Sequence, residues 1–383
     1  MPQVRVLSKG GRITGGIFCL LLTLHTWIWV VRDVVELEIG STWDLWTGAL
    51  GQGAGSLTTM PATTSADLGL GLLQLAAVFA AFTGAWAAGG LMAATAVLTF
   101  AYRLPVIWHV VRHTESSPYY AMRGFFDDPA LDTAAITSGF ALIFCAVVLV
   151  ALLAGLRTWP FPPRPTAPGP PGWPGQPQPY GAPAMPPVPP QPEPPLPSES
   201  PQRPTGAHVT LAALFFGVLV LFNIGWNFQA IYAADTQFWI HLFTGDGVVV
   251  SMLAVAPAWG WVTMAFTCTI ATVLALTRGL SARGFGLGLA IAVLPSAFTT
   301  LVGYIDAGVL FELGKSPILS FLSRAQLVMT LVGAVTLVVL TLRPGVPAQP
   351  GAGPAPFAPS PSFVPQQQPQ PYYPQQQPGP AGP

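Results

Sequence analysis

Charge is what this sequence has least of. Asp, Glu, Lys and Arg make up 8% of its 383 residues, against roughly 25% in a soluble domain. A chain so poor in charge cannot cover its own surface in water, which excludes an ordinary soluble globular protein. The formal net charge is zero, so no global field draws nucleic acid or acidic substrates, and nucleic acid is not an expected partner. Cysteine is nearly absent as well. Cys19, Cys145 and Cys268 each sit in an apolar run, and their wide spacing excludes a disulfide framework or a zinc knuckle. They are expected to pack as small apolar side chains. No phosphate-cradling glycine loop, nucleophile elbow or zinc-protease motif occurs, so neither an enzyme nor a bound cofactor is expected.

Proline, by contrast, is abundant and concentrated. Of the 43 prolines, 21 lie between Pro160 and Pro204 and 14 between Pro344 and Pro383. Few aliphatic residues accompany them, so both tracts are expected to stay disordered with polyproline II character. This divides the chain into an N-terminal segment 1–12, a first apolar half 13–156, a linker 157–208, a second apolar half 209–342 and a tail 343–383.

The apolar halves read as membrane spans. A hydrocarbon core about 30 Å thick needs about 20 apolar residues as helix, and Ile13–Val31, Thr133–Leu156, Val209–Trp226, Ala258–Thr277, Phe285–Ile305 and Ala325–Leu342 meet this without a formal charge. The run from Leu68 to Tyr102 is too long for one crossing: as a single helix it would extend about 52 Å. It is expected to fold back near Gly84–Gly90, giving Leu68–Trp86 and Ala88–Val110. The expected fold is therefore all-α, a polytopic membrane bundle of eight helices.

Charge placement suggests an orientation. With the N-terminus in the cytoplasm, Arg5, Lys9, Arg12, Arg157, Arg164, Arg203, Arg278, Arg283 and Arg343 fall inside, as the bias of Lys and Arg towards the cytoplasm requires. Linker and tail are then cytoplasmic too, while 13 of the 15 acids lie outside. Tryptophans such as Trp43, Trp46, Trp226 and Trp239 fall near span ends, where an aromatic belt belongs. The expected location is the plasma membrane, with the bilayer as first partner.

The halves also resemble each other at an offset of about 196 residues. Leu45-Trp46-Thr47-Gly48 matches Leu242-Phe243-Thr244-Gly245, Ala96-Val97-Leu98 matches Ala292-Val293-Leu294, and the span starts Ile13 and Val209 differ by the same amount. Four spans per half make this a parallel repeat about the membrane normal. Small residues recur every fourth position at Ala76, Ala80 and Gly84 and at Gly284, Gly288 and Ala292, a pattern that lets helices approach closely.

Few residues could carry chemistry. Arg103 lies within a span, where a charge is costly and functional by default; in the outer third it is expected to snorkel outward or pair with Asp67, Asp132 or Asp306. Its first reading is a structural anchor, with Pro105 kinking the helix and freeing carbonyls for it. His109 and His113 are one helical turn apart, as two ligands of one metal would be, yet no third ligand is fixed, so no metal site is expected. His25 in the first span reads as a hydrogen-bonded bundle histidine before a proton relay. Asn223, Asn227 and Gln229 read as interhelical bonds. Polar residues look sparse near mid-membrane.

The expected function is accordingly a non-enzymatic plasma-membrane anchor or scaffold that recruits cytoplasmic partners through its proline-rich tracts. The alternative is a small-solute transporter or channel with its path between the two repeats. The orientation is checked with fused reporters: those near Gly181 and after Pro383 should read cytoplasmic, and those near Gly53, Asp127, Asp235 and Glu312 external. An external linker overturns it.

Overall fold

In lipid every backbone amide must find its partner within its own segment or within the protein, so long apolar runs become helices. The computed structural model describes residues 5–48, 59–111, 130–158, 201–233, 235–245, 251–312 and 316–347, without the side chains of 108–111. The proline-rich linker and tail lie outside the described residues.

The described residues form ten helices: α1 Lys9–Glu36, α2 Glu38–Thr47, α3 Ser65–Thr83, α4 Ala88–Val111, α5 Ala130–Ala154, α6 Gly206–Ala233, α7 Thr236–Thr244, α8 Pro257–Leu276, α9 Ala282–Asp306 and α10 Pro317–Leu342. Eight are long and apolar enough to cross a membrane; α2 and α7 are short. The protein is a polytopic helical membrane bundle. The run from Leu68 does fold back: α3 stops where Gly84 takes a left-handed φ of 74°, a conformation glycine adopts without a Cβ penalty, and α4 begins four residues later. Pro257 and Pro317 open α8 and α10, where a missing N–H costs nothing.

Each half closes the same ring. In the first, α1 packs on α3 and α5, and α4 packs on α3 and α5; in the second, α6 packs on α8 and α10, and α9 on α8 and α10. Each ring is tied at its ends by a small antiparallel strand pair: β1 Arg5–Leu7 with β2 Leu156–Thr158, and β3 Gln202–Arg203 with β4 Val346–Pro347. The matched tetrapeptides end α2 and α7, each stopping at a left-handed glycine, Gly48 and Gly245.

Helices α3, α4 and α9 are the junction. The second small-residue stripe forms it: a Cβ on Gly284 would collide with the Ala87 carbonyl, one on Gly288 would lie 2.8 Å from the Ala94 Cβ, and the Ala292 carbonyl fills the space beside Gly69. On α3 the tightest contacts therefore run through Gly69 and Leu73 rather than through Ala76 and Ala80. The surface is inverted relative to a soluble protein. Ile28, Phe79, Leu153, Leu221 and Phe266 are exposed while Asp33, Asp67, Arg103 and Arg283 are buried, as expected where the surroundings are lipid. Cys19, Cys145 and Cys268 are buried and unbridged.

Backbone-close packing leaves no room for a side chain. Gly69→Val and Gly284→Val should each destabilise by about 3 kcal/mol or more, the upper end of overpacking costs, and should prevent the two halves, co-expressed as separate chains, from co-purifying. Gly217→Ala, where an added Cβ meets nothing within 4 Å, should leave both the melting temperature and co-purification unchanged.

Candidate functional site

The described charges sort by face. Arg5, Lys9, Arg12, Arg157, Arg203, Arg278, Arg283 and Arg343 lie at helix ends on one side, and the described acids lie towards the other. On the acidic side two irregular segments, 59–64 and 251–256, precede the second span of each half and are largely buried. They pair through Met252 N–H to Pro61 O at 2.9 Å and Leu253 N–H to Ala62 O at 2.9 Å. Irregular backbone at such a place persists only when protein satisfies it. The fully buried Asp33 does so, accepting from the Ala62 and Thr63 amides and from the Thr63 hydroxyl at 2.7 Å, while Arg32 bonds Asp33 and the Met60 carbonyl.

Arg103 completes this seal. It does not snorkel outward: it is 0% exposed, its Nη2 lies 2.7 Å from Asp67 Oδ1, and its Nη1 donates to the Leu253 carbonyl of the other half at 3.2 Å. Asp67 in turn caps α3 by accepting from the Thr64 amide and hydroxyl. Of the three expected partners Asp67 is chosen because capping already holds its carboxylate inside. Asp306 is exposed at the end of α9, and no bond joins it to Arg103. Pro105 acts differently from expectation. Its missing N–H frees the Ala101 carbonyl four residues earlier, and Trp259 of the second half donates to that oxygen at 2.7 Å.

The opposite face has a clamp that the sequence did not suggest. Arg283, 1% exposed, stands 4.0 Å over the Trp86 ring of the first half. It donates to Gln202 Oε1 at 2.7 Å, to the Thr341 carbonyl at 2.8 Å and to the Arg343 carbonyl. A charge at a span border reads as an orientation signal, and nothing in its neighbours marks it as buried.

His25 faces an apolar groove between α1 and α5, lined also by Leu21, Ile28, Phe140 and Phe144. Neither of its ring nitrogens has a hydrogen-bond partner, so the expected bundle hydrogen bond is missing. The His109 side chain and His113 lie outside the described residues. Among the described residues no three His, Cys, Asp or Glu side chains could hold a metal ion.

Among the described residues a polar-walled cleft of about 270 Å³ lies in the second half. Asn223 of α6, Ser296 and Thr300 of α9, and Ser323, Gln326 and Thr330 of α10 give it polar walls, and Ala66 and Tyr102 of the first half close one side. It adjoins a mouth beside Trp226, Ser320 and Arg324, sharing Tyr304 and Ser323 with it. Thr330 stands at the middle of α10, so the cleft reaches from the acidic face to about mid-membrane. Beyond it Phe216, Leu289 and Leu337 belong to the apolar core. This corrects the expectation of few polar groups at that depth. The signal was present: Ser296, Thr300 and Tyr304 recur every fourth residue, and Ser323, Gln326 and Thr330 follow at three and four, each a single helical face.

Compared with known proteins, the chain matches no family model, no curated protein and no solved structure. What the site can do rests on its geometry.

The buried pair is tested by a cycle. Removing one partner of a buried ion pair costs about 3–5 kcal/mol, because the other charge is left uncompensated. Arg103→Met should therefore lower thermal stability in detergent sharply, and adding Asp67→Asn should restore a large part of the loss. A double variant no better than the single one refutes the pair's dominance.

Proposed function

We propose that this membrane protein is a small-solute transporter whose binding cleft lies among α6, α9 and α10 where the second half meets the first. One observation carries this reading: polar side chains of three helices converge on a single cleft that runs from the acidic face to mid-membrane. Polar side chains in a membrane interior are costly and mark solute pathways by default. A cleft with a few convergent polar groups is the usual form of a ligand site. Parallel repeats with the site near mid-membrane are a known transporter plan, and duplication of the four-helix unit fits that plan. The described walls hold no carboxylate, histidine or cysteine, which suits binding and release rather than catalysis.

The order of the two sequence readings is thus reversed. The scaffold reading retains one support, the concentration of prolines in 160–204 and 344–383, which suits docking of polyproline segments on cytoplasmic partners.

Transport demands that one site open to both sides in turn. In a variant lacking the three native cysteines, Thr300→Cys should react with a membrane-impermeant thiol reagent added to the acidic face, which is the outer face in the expected orientation. Ser296→Cys, deeper, should react from either face of proteoliposomes. Leu289→Cys, inside the core, should react from neither. Reaction of Ser296→Cys from the acidic face alone refutes transport, and an inert Thr300→Cys refutes the cleft itself.

A further inference from the structure

Resting on the transporter reading, we infer that the cleft takes a small anion carrying hydroxyl or ammonium donors, with Arg324 at the mouth as the residue that binds the anionic group. Arg324 is held in place at one end only. Its Nη2 donates to the Val309 carbonyl at 2.6 Å, and its guanidinium lies 5.8 Å from the Tyr304 ring centroid. Its Nε and Nη1 are shielded from solvent and have no hydrogen-bond partner. A guanidinium keeps its charge at any ordinary pH and carries five donors in a fixed fork. Leaving two of its nitrogens unmet in a shielded place is costly unless something else meets them. The contrast with its peers is informative. Arg32 and Arg103 pair with aspartates, and Arg283 spends its donors on Gln202 and two carbonyls. Arg324 has no carboxylate partner among the described residues, although the face it serves is acidic.

Deeper in the cleft the hydrogen-bonding sense is opposite. Ser296, Thr300 and Thr330 donate their hydroxyl protons to carbonyls of their own helices, so the lone pairs are what they offer the cleft. Asn223 spends a donor on the Leu219 carbonyl at 2.7 Å, leaving its Oδ1 to accept. The exceptions are Gln326, whose Oε1 accepts from Trp226 at 2.6 Å and whose amide NH₂ is left to donate, and the Tyr304–Ser323 hydroxyl pair at 3.4 Å, which keeps one proton. The walls thus call for ligand donors, and the mouth calls for an anion. Six residues of α10 separate Arg324 from Thr330, about 9 Å along the helix. The cleft's 270 Å³ is the space of about nine waters. These dimensions suit a molecule of the size of glycerol 3-phosphate. The same chemistry is offered by the headgroup of an anionic lipid such as phosphatidylglycerol, entering sideways from the bilayer.

The experiment measures protection of Thr300→Cys from the thiol reagent, in full-length protein lacking native cysteines. Soluble probes are glycerol 3-phosphate, inorganic phosphate and, as the neutral control, glycerol. Glycerol 3-phosphate should protect at a concentration at least tenfold below that needed with glycerol. Arg324→Gln should raise that concentration at least tenfold and leave the glycerol value unchanged, while Arg324→Lys, which keeps the charge, should lie between. Melting temperatures of the variants verify that loss of the Val309 contact has not unfolded them. Equal protection by glycerol and its phosphate, or an Arg324→Gln variant that binds the phosphate as the parent does, overturns the anion site while the cleft stands. Protection by none of the soluble probes, with no effect of phosphatidylglycerol in the second arm, overturns it likewise, and failure of Thr300→Cys to react at all overturns both. In a second arm the protein is placed in nanodiscs of phosphatidylcholine with or without phosphatidylglycerol. Slower labelling with phosphatidylglycerol, relieved by Arg324→Gln and unaffected by glycerol 3-phosphate, upholds the anion site, assigns it to a headgroup and overturns the solute reading.

Discussion

Backbone contact between α9 and the α3–α4 hairpin is the constraint on which the rest of the structure depends. Within a bilayer, burial of apolar surface supplies no drive for one helix to join another, so packing and polar bonds must do so. The glycines at 69, 284 and 288 allow that packing, and each end of the junction is then closed by an arginine. On the acidic side Arg103 joins Asp67 to the Leu253 carbonyl; on the basic side Arg283 joins Trp86 to the ends of β3 and α10. Neither arginine could be tolerated in a looser bundle. The desolvation of a buried charge is offset only when its hydrogen bonds are met, and here the close approach of the helices brings the partners within reach.

The halves share a ring and differ in what fills it. Cys19, Leu22, Ala77, Met92 and Cys145 of the first half belong to an apolar core that the second half shares through Phe216, Leu289 and Leu337, while the polar cleft lies in the second half. At the offset suggested by the sequence, 196 residues on, Asp33, Asp67 and Arg103 become Gln229, Thr263 and Thr299. The charged trio that seals the acidic face of one half is replaced by neutral residues in the other. If the unit was duplicated, sealing went to the first copy and the opening to the second. A bundle that must be both stable and open to a solute is served by such a division, since rigid and loosely packed regions need not coincide.

Span number, the α3–α4 turn, the α2 and α7 tetrapeptides and the second glycine stripe were legible in the sequence because each depends on local composition or spacing. Helix length follows from apolar run length, and a turn follows from glycine within it. Partner choice was not legible. Arg103 had three candidate acids by depth, and only the capping of α3 by Asp67 decides among them. Arg283 looked like a border charge because its partners, Trp86, Gln202 and Thr341, are distant in sequence. Pro105 did reveal a freed carbonyl, but which group would use it depended on the other half. The cleft lay between these cases. Its hydroxyls recur at helical spacing, yet Ser and Thr often bond their own helix in a membrane, and here they do that and line a cavity as well.

The same packing limits how a transporter built this way could move. Helix α9 belongs to the second ring by sequence but is fixed to the first half by glycine contacts and by Arg283 over the Trp86 ring. Its contacts with α8 are sparser than those of α6 with α8, and the cleft lies between α9 and α10 beside the Tyr304–Ser323 contact at 3.4 Å. Opening towards the basic face by rocking α6, α8 and α10 against a wall of α3, α4 and α9 would have to break the Arg283 bonds to the Thr341 and Arg343 carbonyls and the Trp259 bond to the Ala101 carbonyl. Ala66 and Tyr102 stand in that wall, each one residue from the Asp67–Arg103 pair. A solute in the cleft would press on neighbours of the same ion pair that holds the Leu253 carbonyl, and the segment leading into α8 begins there. In a transporter, ligand occupancy and the position of α8 would thus be joined through sequence neighbours of that ion pair and its bond to the Leu253 carbonyl, a physical route for coupling that needs no rearrangement of the first half.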